Sequence, residues 1–206
     1  MRNIMDLVKR LMPGCRTTDM VALTKMWLGG SLALAAIALL DRHMGSENGL
    51  PLLIGSFGAS AVLVFGAPSS PLARARNVLG GHVLSALVGV LCARLLTDMP
   101  WLASGFAVGT SIALMSMTGT LHPPGGATAL IAVTGGESIR QLGFLYAFVP
   151  CLTGALLLLA IAAILNGITK WSGVAGACIS RNGTAFFRPS MLRRMRLVRS
   201  LRAARL

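Results

Sequence analysis

Acidic residues are scarce in this chain. Six of its 206 residues are Asp or Glu, against 19 Lys and Arg, and charged residues of both signs make up only 12%. With 54% hydrophobic residues and a mean hydropathy of +0.73, that scarcity excludes an ordinary soluble domain. A net charge of +13 would suit nucleic acid, but no aromatic residue is interleaved with the RRMR and RAAR runs near the chain's end. The eight arginines from Arg181 to Arg205 read instead as an anchor against anionic lipid, with no nucleic-acid partner. The four cysteines, Cys15, Cys92, Cys151 and Cys178, fall at no metal-ligand spacing and form no disulfide framework. Cys92 and Cys151 sit inside apolar stretches and read as small core residues. The apolar stretches hold no paired carboxylates, no metal cluster and no serine or cysteine beside an obvious base. An enzyme is therefore not expected, nor a metal or cofactor. The opening MRNIMDLVKRLMPGCRTTDM lacks the apolar core and cleavage site of a signal peptide, and Asp6 and Asp19 disfavour a transit peptide.

What the chain does have is a series of long apolar stretches separated by short polar ones, the pattern of an all-α integral membrane protein. The alternating segments of about 10 residues that a membrane barrel needs do not occur. Five spans read directly: Leu23–Leu40, Leu52–Phe65, Val78–Leu96, Trp101–Met117 and Leu145–Ile168. Both ends are basic, so both are expected on the cytoplasmic side, and the number of crossings must be even. A sixth segment around Ala127–Val133 satisfies that parity and places 16 of the 19 basic residues inside. Four full spans plus re-entrant elements satisfy it too. The expected organisation is a basic N-terminal segment over 1–22, a membrane domain over 23–168 and a basic tail over 169–206.

Two stretches resemble one another. GASAVLV begins at Gly58 and GATALIA at Gly126, an offset of 68 that also carries the first span onto the fourth and the third onto the last. Repeats over about 23–96 and 101–168, each of three segments, would enter the membrane from opposite sides and form an inverted repeat. The second segment of each is expected to be short or broken, with its start at depth.

GTLHPPGGATALIAVTGG, Gly119 to Gly136, is the clearest such break. Pro123 and Pro124 stop a helix from running through, because neither has an N–H and each ring clashes with the preceding turn. Proline does suit the first turn of a new helix. Gly125 and Gly126 let backbone pass close to a ligand or another helix. The first amides of the new helix, at Gly125, Gly126, Ala127 and Thr128, are expected to be free, and with the positive helix end they suit an anion. Thr128 adds a hydroxyl. The matching groups in the first repeat are Gly58, Ala59 and Ser60, with Ser56 nearby. His122, ionisable and at membrane depth, is a candidate for proton coupling or for a hydrogen bond to the ligand. In RNVLGGHVL, Asn77 is expected to cap a helix, Gly80 and Gly81 to form a packing face, and His82 to face the same cavity. Arg74 and Arg76 could draw anions to the cytoplasmic mouth. The plainer alternative is that Pro-Pro-Gly-Gly is a tight turn between two spans. Glycine pairs such as Gly80–Gly81 and Gly105–Gly109 suit packing within a protomer or between protomers of a homo-oligomer.

LHPPGGATAL resembles the motif of the HPP family of integral membrane proteins. The resemblance extends to FGASAVLVFGAPSSPLARARNVLGGHVLSALVGV, Phe57 to Val90, and covers most of Leu50 to Leu165. It implies a small multi-helix membrane domain whose motif residues are His122, Pro123, Pro124, Gly125 and Gly126. Members in photosynthetic organisms and organelles are linked to nitrite transport, and others carry CBS domains after the membrane part. Only about 40 residues follow Ile168, which suits a basic tail better than a CBS pair. The expected function is a transporter or channel for a small monovalent inorganic anion, nitrite first, in a bacterial inner membrane. A non-transporting membrane scaffold acting through its basic tail is the alternative.

Overall fold

Runs of Leu, Ala, Ile and Val without internal proline favour long helices, and glycine or proline marks most of the places where they stop. The structure, a computed structural model, describes residues 20–45 and 51–166. The basic N-terminal segment up to residue 19, the tail from residue 169, Cys15 and Cys178 lie outside the described residues. Helix α1 is Met20–Leu40 and winds on as a π turn over Asp41–Gly45. Helix α2 is Ser56–Ala61, extended by a π turn over Val62–Gly66. After a 3₁₀ turn at Pro71–Ala73 come α3, Ala75–Leu95, α4, Pro100–Thr118, and α5, Pro123–Thr134. Helix α6, Glu137–Leu142, passes through a 3₁₀ turn at Gly143–Ala147 and a π turn at Phe148–Leu152 into α7, Thr153–Asn166. No strand occurs among the described residues.

Four helical stretches are long and apolar enough to cross a membrane: Met20–His43, Ala75–Leu95, Pro100–Thr118 and Glu137–Leu165. The expected all-helical membrane architecture is therefore present. The segments expected to be short are short. Helix α5, with 12 residues, rises only ~18 Å against a hydrocarbon thickness of ~30 Å. The last span differs from expectation at its start: the helix begins at Glu137 rather than Leu145. Glu137 stands in the first turn, where a carboxylate meets the positive helix end. Gly143, at φ +52°, and the non-helical Val149 then bend the stretch without ending it.

The two short helices bury the same register. Along α2 and its extension the buried residues are Ser56, Phe57, Ser60, Ala61, Val64 and Phe65. Along α5 they are Pro124, Gly125, Thr128, Ala129, Ala132 and Val133, each 68 positions later. The packing partners differ. Phe57 presses its ring on Gly154 of α7 and Phe65 on Gly29 of α1, where an added Cβ would lie 2.3 Å from a ring atom. Helix α5 packs instead against α3 and α4. It crosses α3 at backbone distance: a Cβ on Gly89 would lie 2.6 Å from the Ala129 carbonyl oxygen, and one on Gly125 would lie 2.8 Å from that of Gly81. Gly105 and Gly109 take no part in this packing, since an added Cβ at either meets nothing within 4 Å.

Candidate functional site

The site begins where α4 stops. Gly119 takes φ +64°, a left-handed conformation that only glycine adopts without strain, and the Thr120 N–H closes back on the Met115 carbonyl at 2.9 Å. The chain then runs extended through His122 (φ −139°, ψ 105°) until Pro123 and Pro124 restart it as α5. Helix α3 holds this break in place. Asn77 donates its side-chain amide to the Leu121 carbonyl at 2.8 Å, and the Arg76 guanidinium donates to the Thr118 carbonyl at 2.5 Å. Gly81 lets the break lie flat on α3, since a Cβ there would sit 2.5 Å from the His122 Cβ. The imidazole of His122 is thereby pushed fully inside, at 0% exposure.

His122 ends a chain of four other buried polar side chains. Its Nε2 lies 2.8 Å from Ser60 Oγ, and Ser60 Oγ lies 2.8 Å from His82 Nε2. His82 Nδ1 is 2.7 Å from the Thr128 hydroxyl, which is 2.9 Å from Ser56 Oγ. At the other end His122 Nδ1 is 2.9 Å from the Leu72 carbonyl oxygen. A carbonyl only accepts, so His122 Nδ1 carries a hydrogen. None of Ser60, His82, His122 and Thr128 is exposed at all, and Ser56 is 1% exposed. Ser56 pairs with Thr128 while Ser60 pairs with His122, so the first turns of α2 and α5 lie side by side and antiparallel. His82 is seven residues into α3, ~10 Å along the helix from its start.

A family profile described as HPP, transmembrane region, matches residues 16–173. The chain belongs to the HPP family. Two transmembrane proteins of Dictyostelium discoideum are 45% and 44% identical to it over 147 residues, 70% of this chain. Those 147 residues cover 51% and 47% of the two relatives, so the HPP chain spans about half the length of the curated relatives it matches. No solved structure matches it significantly. Family membership and four apolar spanning helices make it an integral membrane protein.

Of the residues singled out in the sequence, the HPP fold brings together Ser56, Ser60, His82, His122 and Thr128, with Pro124 and Gly125 buried beside them. Gly58 and Gly126 are half-buried, and Ala59, Pro123 and Ala127 are exposed on the outer sides of the short helices. The free amides expected at the start of α5 are not found. The helix starts at Pro123, so Gly126, Ala127 and Thr128 bond within it, and the Gly125 N–H donates to the His122 carbonyl at 2.8 Å. The prolines occupy the very positions where free N–H groups would stand. In α2 the Phe57 and Gly58 amides are likewise spent, on the Ile54 and Gly55 carbonyls. Donors for a ligand are therefore side-chain hydroxyls and imidazoles. Asn77, expected to cap α3, lies inside that helix and holds the break instead.

Three contributors escaped the sequence. Tyr146, the chain's one tyrosine, donates its buried hydroxyl to the Thr128 carbonyl at 3.2 Å. Phe57 stacks a tilted ring 5.3 Å from that of His82. The Leu72 carbonyl is backbone, which no residue type announces. A lone tyrosine in an apolar span was the one usable signal.

Proposed function

We propose that this HPP chain carries a small monovalent anion across the membrane, as transporter or channel, with nitrite the first candidate from its family resemblance. The observation that carries the reading is the buried chain of Ser56, Ser60, His82, His122 and Thr128, drawn from α2, α3, α5 and the break before α5. Polar groups at membrane depth are costly, and packing alone would be served as well by apolar residues. Two features support a path along α5. One is the polar chain at its start; the other is a cavity of about 210 Å³ beyond its far end, lined by Arg94, Arg140, Ala132 and Val133. Two arginines at such a mouth raise the local anion concentration. The antiparallel first turns and shared burial register of α2 and α5 support an inverted repeat of two three-segment halves. The remaining site residues, Gly58, Ala59, Gly126, Ala127 and Pro123, then belong to the faces that move past lipid or a second protomer of a homo-oligomer. The charge distribution favours cytoplasmic termini, an inner-membrane location and anionic lipid at the basic tail.

The test is initial uptake of nitrite, nitrate, formate and chloride into proteoliposomes. Nitrite uptake should exceed that of protein-free vesicles, and His122→Ala combined with Thr128→Val should lower it by about tenfold or more, a loss of ~1.4 kcal/mol or greater. Uptake unchanged in the double variant removes this site.

A further inference from the structure

We propose that Ser60 relays a single proton between His82 and His122, and that uptake of this proton frees the Ser56 hydroxyl to donate to the anion, so that one proton and one anion travel together. The coupling rests on the transport reading above; the relay does not.

The argument is a hydrogen count. Five contacts link Leu72 O, His122, Ser60, His82, Thr128 and Ser56, and each needs one hydrogen. With both imidazoles neutral, the side chains supply one hydrogen each, and a single arrangement fills every contact. His122 Nδ1–H donates to Leu72 O. Ser60 O–H donates to His122 Nε2, and His82 Nε2–H to Ser60 Oγ. In that arrangement Thr128 O–H donates to His82 Nδ1 and Ser56 O–H to Thr128, whereas the Thr128–Ser56 contact as it stands has Thr128 O–H donating to Ser56 Oγ, the direction of the proton-loaded form. The two rings therefore carry opposite tautomers.

A further proton at His82 Nδ1 leaves the surplus hydrogen at the end of the chain rather than inside it. If His82 Nδ1 takes it, that N–H donates to Thr128, whose own O–H turns to Ser56 Oγ at 2.9 Å, a shorter contact than its 3.3 Å approach to the Pro124 carbonyl. The Ser56 O–H is then displaced from the chain and can donate to a ligand. The charge moves on when the His82 Nε2 proton passes to Ser60 Oγ while the Ser60 proton passes to His122 Nε2. No atom is gained or lost in that step.

The surroundings limit the uptake to one and call for an anion. Phe57 of α2 lies against the His82 ring and Met115 of α4 beside His122 at Gly81, while Ser85 and Asn77 of α3 bond Met115 and the Leu121 carbonyl, and Tyr146 of the last span bonds the Thr128 carbonyl. Arg76 reaches past the break to the Thr118 carbonyl, and Arg74 follows the turn that supplies Leu72. The described carboxylates are elsewhere: Asp41 accepts from the Leu52 and Leu53 amides, Asp98 lies between α3 and α4, and Glu137 starts α6. A second proton would set two like charges on rings 5.1 Å apart. Among the described residues a single imidazolium here meets no carboxylate, so a bound anion would serve as its counter-ion.

Solid-state NMR of the full chain in bilayers, labelled with ¹⁵N-histidine, reads the relay directly among its three histidines. The expected spectrum shows His122 as the Nδ1–H tautomer and His82 as the Nε2–H tautomer. Acidification should give one imidazolium shared by the pair, and Ser60→Ala should confine it to one ring. The same tautomer on both rings, two imidazoliums, or none before the bundle unfolds would overturn the relay. Coupling is read in proteoliposomes with nitrite and nitrate, protein-free vesicles serving as the blank. An inward proton gradient at clamped zero voltage should accumulate the anion, and a valinomycin-set potassium potential should leave the rate unchanged. Flux that follows voltage and ignores the proton gradient overturns the coupling and leaves anion transport standing. No flux of any anion overturns the transport reading and the coupling with it, while the NMR result still decides the relay.

Discussion

Replacing Gly81 with alanine tests whether the break is held to a tolerance of less than a methyl group. The new Cβ would lie 2.5 Å from the His122 Cβ, 3.2 Å from the Thr120 carbonyl oxygen and 3.4 Å from the Met115 sulfur. Carbon atoms rest at about 3.5–4.0 Å, so His122 must retreat by ~1 Å. A retreat of ~1 Å stretches its 2.8 Å contact with Ser60 past hydrogen-bonding range. Two energies oppose each other in the fold. Overpacking costs about 1–3 kcal/mol, while exchanging glycine for alanine within a helix returns about 1 kcal/mol. The net loss of about 0–2 kcal/mol leaves the protein folded, yet the site is displaced, so flux should fall by about tenfold or more. Gly105→Ala on α4 is the control: its Cβ meets nothing within 4 Å, so stability should hold or rise and flux should be unchanged. The assay is initial nitrite uptake normalised to folded protein, alongside thermal unfolding in detergent. Wild-type transport by Gly81→Ala, or an equal loss in Gly105→Ala, would refute the reasoning.

Two other substitutions follow from the same geometry. Asn77→Ala removes the donor to the Leu121 carbonyl and should cost about 1–3 kcal/mol, seen as a lower unfolding midpoint; Asn77→Asp, which cannot donate when ionised, should do no better. An unchanged midpoint in both would mean the break needs no such tie. Arg94→Gln with Arg140→Gln should slow nitrite uptake several-fold at low ionic strength. The difference should vanish near 1 M salt, where charges are screened beyond about 3 Å; a deficit independent of salt would point to packing instead.

Much of the fold could be read because helix breakers and hydropathy are local properties. Pro123 and Pro124 locate a helix start, and the recurrence at an offset of 68 points to a second short helix. The gathering of Ser56, Ser60, His82, His122 and Thr128 was partly legible, because the short helices had already been paired. What the sequence hid was direction. Which side of α2 and α5 turns inward depends on neighbours far along the chain, so Ala59 and Ala127 looked equivalent to Ser60 and Thr128 although they face outward. The amides differ for a related reason: with Pro123 and Pro124 filling the first turn, the Gly125 N–H already bonds the His122 carbonyl. Tyr146 and the Leu72 carbonyl reach the site from the last span and from a turn 50 residues before His122, distances over which no spacing rule operates.

The crossing of α3 and α5 has a mechanical consequence. Where Gly81, Gly125 and Gly89 bring main chain against main chain, no side chain stands between the helices to change rotamer and let one slide past the other. Those two helices behave as a single strut. Bending of the bundle is easier where regular winding lapses, as in the stretch from Ala67 to Arg74 and around Val149. The first of these carries the carbonyl that fixes one end of the polar chain, so bending there would shift the anchor of His122 without loosening the strut it lies on.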